Sequence, residues 1–277
     1  MSDHVLNWFD THVHWDASEF DPDREAALKR AYAAGVSYCL NPSVTVDGIE
    51  KVQALATLSQ KHEEWPRILQ AYGIHPLYVE CSAPDDIDQL ERYLCAQRPF
   101  AIGEIGLDAY EGAPDFEKQR RLFEAQLSIA ATHQLPVLLH MRHAVEAVIQ
   151  SIKRVQGKGQ KIPGGIAHAF NGSLVQAEQL INLGFKLGFG GSCTYAGSTR
   201  IRSLAAQLPL SALVLETDAP DMAPMWLRGQ RNESSQLPLI AETLAALRNL
   251  PLNELCAATT ANALVVLRLH ENGADAR

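Results

Sequence analysis

The 277-residue sequence lacks the features that direct a chain into a membrane or out of the cytosol. It has no uninterrupted apolar run of about 18 residues, so we expect no membrane-spanning helix. Its N-terminus lacks the basic, apolar and small-residue order of a signal peptide. The five cysteines form no Cys-x-x-Cys pair, which is typical of reduced thiols rather than of a disulfide framework. We therefore expect a cytoplasmic protein.

Basic residues are also fewer than acidic residues. The chain has 24 Lys and Arg against 32 Asp and Glu, a net charge of −8. This balance argues against the extended basic surface of non-specific duplex binders. It leaves room for a nucleic-acid substrate held locally by metal ions and a few arginines. Apolar residues form 47% of the chain, enough for a sizeable core.

Several enzyme signatures are missing as well. There is no Gly-x-Ser-x-Gly elbow of a serine hydrolase and no Gly-Lys-Ser/Thr phosphate loop. The glycine-rich stretch 188–192 lacks dinucleotide spacing, and we interpret it as a bend between a strand and a loop near the site. No low-complexity segment, strong repeat or interdomain linker interrupts the chain.

Strand-like and helix-like stretches alternate along the whole sequence. The strand candidates are Leu6–His14, Ser37–Pro42, Ile68–Ile74, Phe100–Leu107, Pro136–His140, Gly165–Phe170, Phe185–Gly190 and Ala212–Asp218. The helix candidates are Asp23–Ala34, Val46–Gln60, Asp85–Ala96, Phe116–His133, Ala144–Gln156, Leu174–Leu183, Ile201–Gln207, Ser234–Leu247 and Leu252–Leu269. Eight strand–helix units in about 250 residues favour an α/β fold, a single-domain (β/α)8 TIM barrel, over a doubly wound open sheet. We expect the barrel to occupy residues 1–270 and residues 271–277 to form a disordered tail.

Polar residues collect at the predicted strand ends, where such barrels carry their functional groups. His12 and His14 are two residues apart, so in a strand their imidazoles would share one face. The strand ends carry, in order, His12, His14, Asn41, His75, Glu104, Asp108, His140, Arg142, His168, Ser192, Glu216 and Asp218. Five of the ten histidines fall in this set. Because neutral imidazole is a common metal ligand, this concentration predicts a metal site.

The predicted ligands are His12, His14, Glu104, His140, His168 and Asp218. They exceed what one tetrahedral zinc needs and suit two divalent ions with one carboxylate bridging. The ions could be Zn, Mn, Mg or Co. Taken singly, each residue has a plainer interpretation: a hydrogen-bonded core histidine, an ion-paired Glu104, or a helix-capping Asp218. Together they predict metal-assisted hydrolysis, with Asp218 and Glu104 as catalytic candidates and Asp218 taking a proton from the attacking water.

Other residues are candidates for contact with substrate. His75 could hydrogen-bond a substrate oxyanion, Arg142 could clamp a phosphate, and Asp108 lies at the same edge. The alternatives are a structural role for His75 and a solvated side chain for Arg142. The segment 219–233 looks like a loop over the barrel mouth, and it carries Met222, Met225, Trp226, Arg228 and Arg231. Trp226 could stack a base there or simply pack. Asp10 is expected to accept a hydrogen bond within its turn.

Six motifs together resemble the TatD family of metal-dependent hydrolases, within the amidohydrolase superfamily. They are Asp10-Thr11-His12-Val13-His14, Gly73-Ile74-His75-Pro76, Gly103-Glu104-Ile105-Gly106-Leu107-Asp108, Leu139-His140, His168-Ala169-Phe170 and Glu216-Thr217-Asp218-Ala219-Pro220. The resemblance runs from about Asn7 to Leu267 and implies a (β/α)8 barrel, a divalent-metal site and deoxyribonuclease-type activity. It also implies that His12, His14, Glu104 and Asp218 hold one ion and that Glu104, His140 and His168 hold the other.

The sequence departs from the family pattern at five positions and at no presumed ligand. Val13, Leu77 and Ser234 stand where the family often has Cys, His and Pro, and Met141 and His143 flank Arg142 where Ser and Asp are frequent.

The leading hypothesis is therefore a TatD-type deoxyribonuclease acting on DNA or a nucleotide, with no membrane and no obligate protein partner. A hydrolase of a small amide, ester or lactone is the second hypothesis, and a non-catalytic metal-bound scaffold is the third.

Overall fold

The computed structural model describes residues 6–269, so the predicted tail at 271–277 lies outside the described residues. Eight strands form one sheet, and each pairs in parallel with the next strand along the chain. The strands are β1 (Trp8–Asp10), β2 (Val36–Pro42), β3 (Arg67–Tyr72), β4 (Ala101–Gly106), β5 (Val137–His140), β6 (Gly165–Ala167), β7 (Phe185–Phe189) and β8 (Leu213–Leu215). The predicted (β/α)8 barrel is confirmed.

Helices alternate with these strands. They are α1 (Arg24–Ala33), α2 (Ile49–Ser59), α3 (Asp86–Ala96), α4 (Phe116–His133), α5 (Val145–Gly157), α6 (Leu174–Asn182), α7 (Thr199–Gln207), α8 (Leu237–Arg248) and α9 (Leu252–Val266). Short 3-10 helices cover Ser18–Phe20, Pro76–Cys81, Gly191–Thr194, Leu210–Ala212, Met225–Leu227 and Ser234–Gln236. Within residues 6–269, no helix combines the length and the apolar character needed to span a bilayer.

Local sequence signals set several of the helix ends. Asp115 begins α4 by accepting a hydrogen bond from the backbone N–H of Lys118 at 2.7 Å. Ser173 and Gln176 form a reciprocal capping box at the start of α6. The predicted start of α8 at Ser234 is wrong, because Ser234–Gln236 forms a 3-10 turn and the α-helix begins at Leu237.

The first and last strands are shorter than predicted. β1 ends at Asp10 rather than His14, and β8 ends at Leu215 rather than Asp218. Beyond these points, backbone hydrogen bonds run directly between the two segments: Thr11 N–H to the Leu215 carbonyl at 3.0 Å, Asp218 N–H to the His12 carbonyl at 2.9 Å and His14 N–H to the Ala219 carbonyl at 2.8 Å. These three bonds form a seam that joins the start of the barrel to its end.

The core has two parts, as the alternation of strand side chains requires. Side chains on one face of the strands, such as Phe9, Leu40, Leu69, Leu138 and Val214, form an inner cluster to which α9 contributes. Side chains on the other face pack against the surrounding helices in a larger cluster. Both clusters are apolar, so the polar residues at the strand ends stand out as a separate feature of the fold.

Candidate metal centre

The predicted ligands meet at the carboxyl ends of the strands. Glu104 lies within β4 and His140 is the last residue of β5. His12 and His14 follow β1, His168 follows β6, and Asp218 follows β8. Gly106 permits the close approach of β4 to β5, because a Cβ there would lie 1.8 Å from the His140 carbonyl oxygen. Its φ of +152° is also one that glycine adopts readily.

The two carboxylate oxygens of Glu104 face different pairs of imidazoles. Oε2 lies 3.1 Å from Nε2 of His12 and 3.5 Å from Nε2 of His14. Oε1 lies 2.9 Å from Nδ1 of His140 and 3.5 Å from Nε2 of His75. The buried Glu104 side chain therefore lies between two pairs of imidazole nitrogens.

His12, His14 and Asp218 form the side of the centre nearest the seam. The Nε2 atoms of the two histidines lie 3.0 Å apart, although both residues lie beyond the end of β1 and not within a strand as predicted. Oδ1 of Asp218 lies 3.5 Å from Nε2 of His12 and 4.0 Å from Nε2 of His14. Asp218 adopts a left-handed backbone conformation, with φ of +57°, as the chain turns out of β8.

The donor atoms fit divalent cations. Three overlapping sets have ligand atoms within 4.8 Å of one another: His12 with Glu104 and His168, His12 with His14 and Asp218, and His75 with Glu104 and His140. Imidazole nitrogens and carboxylate oxygens are the donors that zinc, manganese and cobalt accept. In addition, the buried Nδ1 of His12 has no hydrogen-bond partner within residues 6–269. The three sets contain all six predicted ligands and add His75.

The carboxylates and imidazoles shift one another's pKa values. Burial opposes ionisation of Glu104, but the charges on His12 and His75 outweigh it and hold its pKa well below the usual range. Burial likewise opposes protonation of His14, yet hydrogen bonding to Glu104 and nearby carboxylate charge raise its pKa to about 9. For His168, the charges on Glu216 and Asp218 overcome burial and raise the pKa. The negative charge of the centre thus favours cations, whether protons or metal ions.

Glu216 is a functional candidate to which the sequence interpretation gave no role. Its Oε1 accepts a hydrogen bond from the backbone N–H of Ala169 at 2.6 Å and lies 3.0 Å from Nδ1 of His168. Gly188 makes room for this carboxylate, because a Cβ there would lie 2.1 Å from Oε2 of Glu216. The position of Glu216 at a strand end was the available signal. The glycine-rich stretch 188–192, predicted to be a bend, runs from the last two residues of β7 into the 3-10 turn Gly191–Thr194.

Asp108 lies against a predicted ligand instead of facing the barrel mouth. Its side chain is buried, and its Oδ2 is 2.9 Å from Nε2 of His140. The amide side chain of Gln119 holds the Asp108 backbone by accepting from its N–H and donating to its carbonyl. The structure therefore places Asp108 where it orients the His140 ring.

Asp10 accepts a hydrogen bond within its turn, as predicted, from the His12 backbone N–H at 3.4 Å. It also accepts from the N–H and hydroxyl of Thr217, at 2.9 and 2.6 Å, and from the Ser234 hydroxyl at 2.6 Å. Burial raises the pKa of Asp10 to about 7 against the effect of these hydrogen bonds. The side chain ties the turn after β1 to the segment after β8.

His75 and Arg142 occupy different parts of the mouth. His75 is buried, with Nε2 3.2 Å from Nδ1 of His140 and Nδ1 accepting from the Leu77 N–H. Arg142 is exposed, and its guanidinium carbon lies 3.7 Å from the ring centroid of Tyr110. Of the two, only His75 touches the ligand cluster.

Arg231, one of the two arginines in segment 219–233, is paired with acidic side chains. Its guanidinium donates to Asp23 at 2.5 and 3.0 Å and lies over the ring of Phe20. Arg231 also lies 3.5 Å from Glu233, so these contacts anchor segment 219–233 to the start of α1. Trp226 in the same segment is exposed, and its indole N–H donates to Gln236.

Comparison with known proteins agrees with this geometry. The family model described as TatD related DNase matches residues 9–268. An uncharacterized metal-dependent hydrolase of Escherichia coli K12, YjjV, is 37% identical over 262 residues, covering 93% of this chain and 96% of its own. Its crystal structure superposes with a TM-score of 0.87 at 35% identity, covering 95% of this chain and 98% of that chain.

A second relative carries a more specific name. The 3′-5′ ssDNA/RNA exonuclease TatD of Erwinia tasmaniensis is 34% identical over 260 residues, covering 92% of this chain and 97% of its own. The family match therefore extends over nearly all the residues that build the barrel and its cluster of donors. The resemblance drawn from the six motifs is confirmed: this chain belongs to the TatD-related DNase family and is a metal-dependent hydrolase.

Proposed function

We propose that this protein is a nuclease that hydrolyses phosphodiester bonds of single-stranded DNA from the 3′ end, using two divalent ions. The observation that carries the proposal is the position of Glu104, whose two oxygens face separate pairs of imidazoles. A carboxylate so placed would help to hold both ions, which would supply the chemistry of two-metal phosphoryl hydrolysis.

Six side chains hold the two ions in this proposal. His12, His14, Glu104 and Asp218 bind one, and Glu104, His140 and His168 bind the other. The donor sets within 4.8 Å support a shared Glu104, which lies in one set with His12 and His168 and in another with His75 and His140. The assignment of His168 to the second ion follows the family resemblance, because in these sets His168 lies with His12. Zn, Mn, Mg and Co all accept such donors.

When bound, the ions would supply Lewis-acid activation of water and of the scissile phosphoryl group. Asp218 is the proton acceptor for the attacking water, because its side chain is the most exposed among the carboxylates of the cluster, at 18%. In the metal-free protein, burial opposes ionisation of Asp218, but the charges on His168, His12 and His14 lower its pKa and keep the carboxylate ionised. Glu104 shares the catalytic role by holding both ions in position.

Two further residues are assigned to substrate. His75 lies beside Glu104 and His140, where its ring can contribute a hydrogen bond to a phosphate oxygen. Arg142, exposed at the mouth, supplies a cation for a phosphate. Asp108 acts on substrate only through His140, whose ring it contacts at 2.9 Å. The name of the Erwinia relative, a 3′-5′ ssDNA/RNA exonuclease, supports single-stranded nucleic acid as the substrate and the 3′ end as the point of attack.

The test is hydrolysis of 5′-labelled single-stranded DNA by protein reconstituted with each of the four metals in turn. We expect products that shorten stepwise from the 3′ end, with activity abolished by EDTA and by His140→Ala. Uncut DNA alongside high kcat/KM for an ester, amide or lactone would replace this proposal with the small-molecule hydrolase. The metal content of each preparation, measured in parallel, shows whether inactivity reflects a missing ion.

A further inference from the structure

The side chains of Tyr110 and Arg142 stack on each other near the metal centre. Neither residue is among the candidate metal ligands. The Arg142 guanidinium carbon lies 3.7 Å from the Tyr110 ring centroid, and the His143 ring lies 5.5 Å from the same ring. The Tyr110 side chain is 48% exposed. We call Tyr110 and Arg142 the rim pair.

Short hydrogen bonds connect the rim pair to the candidate metal ligands. The Tyr110 N–H donates to Oδ1 of Asp108 at 2.8 Å, and Oδ2 of the same carboxylate lies 2.9 Å from Nε2 of His140. The Ala109 N–H donates to the Arg142 carbonyl at 2.9 Å, which joins the loops after β4 and β5. Two residues of chain span at most about 7 Å. The Cα atoms of Tyr110 and Asp108 are therefore no farther apart than roughly the length of one nucleotide.

Arg142 also differs from the arginines that stabilise the fold. Arg30 and Arg231 each pair with Asp23 and Glu233. Within residues 6–269, the Arg142 guanidinium makes no ion pair and no hydrogen bond, and its only specific contact is the Tyr110 ring. A guanidinium stacked on a ring keeps its N–H donors free at its edge, where a phosphate can accept two of them.

We propose that the rim pair is a nucleotide subsite: Tyr110 stacks an unpaired base of the substrate strand, and Arg142 binds the phosphate next to it. Aromatic side chains beside a cation are how proteins hold single-stranded nucleic acid without reading its sequence. A base within a duplex is already stacked and paired, so the subsite selects single strands. This inference rests on the proposed nuclease function and assigns two residues to the selection of single strands.

The test compares Tyr110→Ala, Tyr110→Phe and Arg142→Met with Tyr32→Ala. Tyr32, on α1, is exposed to a similar degree, 46%, and serves as the matched control. Each metal-loaded protein is mixed by stopped flow with single-stranded DNA carrying 2-aminopurine at its 3′ end, whose fluorescence reports stacking. Steady-state hydrolysis of single-stranded and duplex DNA, and the metal content of each variant, are measured in parallel.

We expect Tyr110→Ala to raise KM for single-stranded DNA about 5- to 150-fold, the range found for loss of one stacked base. It should also abolish the fluorescence change, while Tyr110→Phe retains both properties. Arg142→Met should weaken binding and reduce its dependence on salt by roughly one phosphate contact. Metal content should match that of Tyr32→Ala.

Two results would overturn the subsite: Tyr110→Ala indistinguishable from Tyr32→Ala, or equal KM values for single-stranded and duplex DNA. A wild-type protein that cleaves no DNA contradicts the nuclease proposal instead. In that case the fluorescence change still decides whether Tyr110 stacks a base, because it is read on binding and not on cleavage.

Discussion

Oε1 of Glu216 lies 3.0 Å from Nδ1 of His168, while Nε2 on the opposite side of that ring lies 3.5 Å from Asp218. A carboxylate behind a histidine determines which ring nitrogen faces a metal ion and increases the basicity of that nitrogen. Glu216 is therefore a positioning residue of the centre. Because it acts through His168, its role is tested by measuring the affinity for metal.

Glu216→Gln should lower the affinity for divalent metal about 10- to 100-fold, because the amide cannot hold His168 in the same way. Titration calorimetry of the metal-free protein with zinc or manganese measures the change. Glu242→Gln, an exposed position on α8, is the control. Equal affinities in the two variants would show that Glu216 does not position His168.

Gly188→Ala should produce the same loss without altering any charged group. The new methyl group would meet Oε2 of Glu216 at 2.1 Å and push the carboxylate away from His168. Gly157→Ala is the matched control, because a Cβ at Gly157 meets nothing within 4 Å. We expect reduced metal affinity in the first variant alone; unchanged affinity in Gly188→Ala would mean that the carboxylate can relocate without consequence.

If the proposed pair of ions is bound, Glu104→Gln should reduce the number of ions per chain, because an amide lacks the two anionic oxygens of the carboxylate. Elemental analysis after reconstitution and dialysis gives the stoichiometry, and circular dichroism shows whether the fold survives. A variant that keeps two tightly bound ions would contradict the bridging role of Glu104.

Metal binding should release protons at neutral pH. In the metal-free protein, carboxylates around His14 raise its pKa to about 9, so this imidazole is protonated at pH 7 and must lose its proton to become a ligand. Because a proton competes with the metal ion for this imidazole, affinity for metal rises as pH rises towards 9. Calorimetry in two buffers of different ionisation enthalpy counts the protons, and identical heats in both would refute the prediction.

Arg231→Met should lower the free energy of unfolding by about 1 kcal/mol at pH 7, since it removes a partly exposed ion pair with Asp23. KM for DNA should stay unchanged. Hydrogen bonding to Arg231 and Arg30 lowers the pKa of Asp23, so this stabilisation is present above the ordinary carboxyl range and is lost as pH falls. The wild type and the variant should therefore converge in acid.

Urea unfolding across this pH range measures that difference, with the exposed Arg121→Met as the control. A large rise in KM in Arg231→Met with unchanged stability would instead identify Arg231 as a substrate contact.

The strand order and the donor set followed from local patterns in the sequence. Apolar runs alternating with amphipathic stretches predicted eight units, and the histidines at successive strand ends predicted the cluster. The missing parts depend on contacts between distant residues. Glu216 binds the backbone of Ala169 across 47 positions, and Arg231 pairs with Asp23 across 208 positions. Side-chain type alone shows neither partner, so the contacts of Glu216 and of Arg231 could not be predicted from the sequence.

The seam between the two ends of the barrel also determines when the centre can form. Thr11 and Leu215, 204 residues apart, are hydrogen-bonded there, and His12 and Asp218 meet just beyond them. During synthesis on the ribosome, His12 and His14 emerge long before Asp218. A nascent chain without β8 thus lacks the complete donor set. We therefore expect ion capture to follow closure of the barrel, and we expect opening of the seam to weaken ion binding by separating His12 from Asp218.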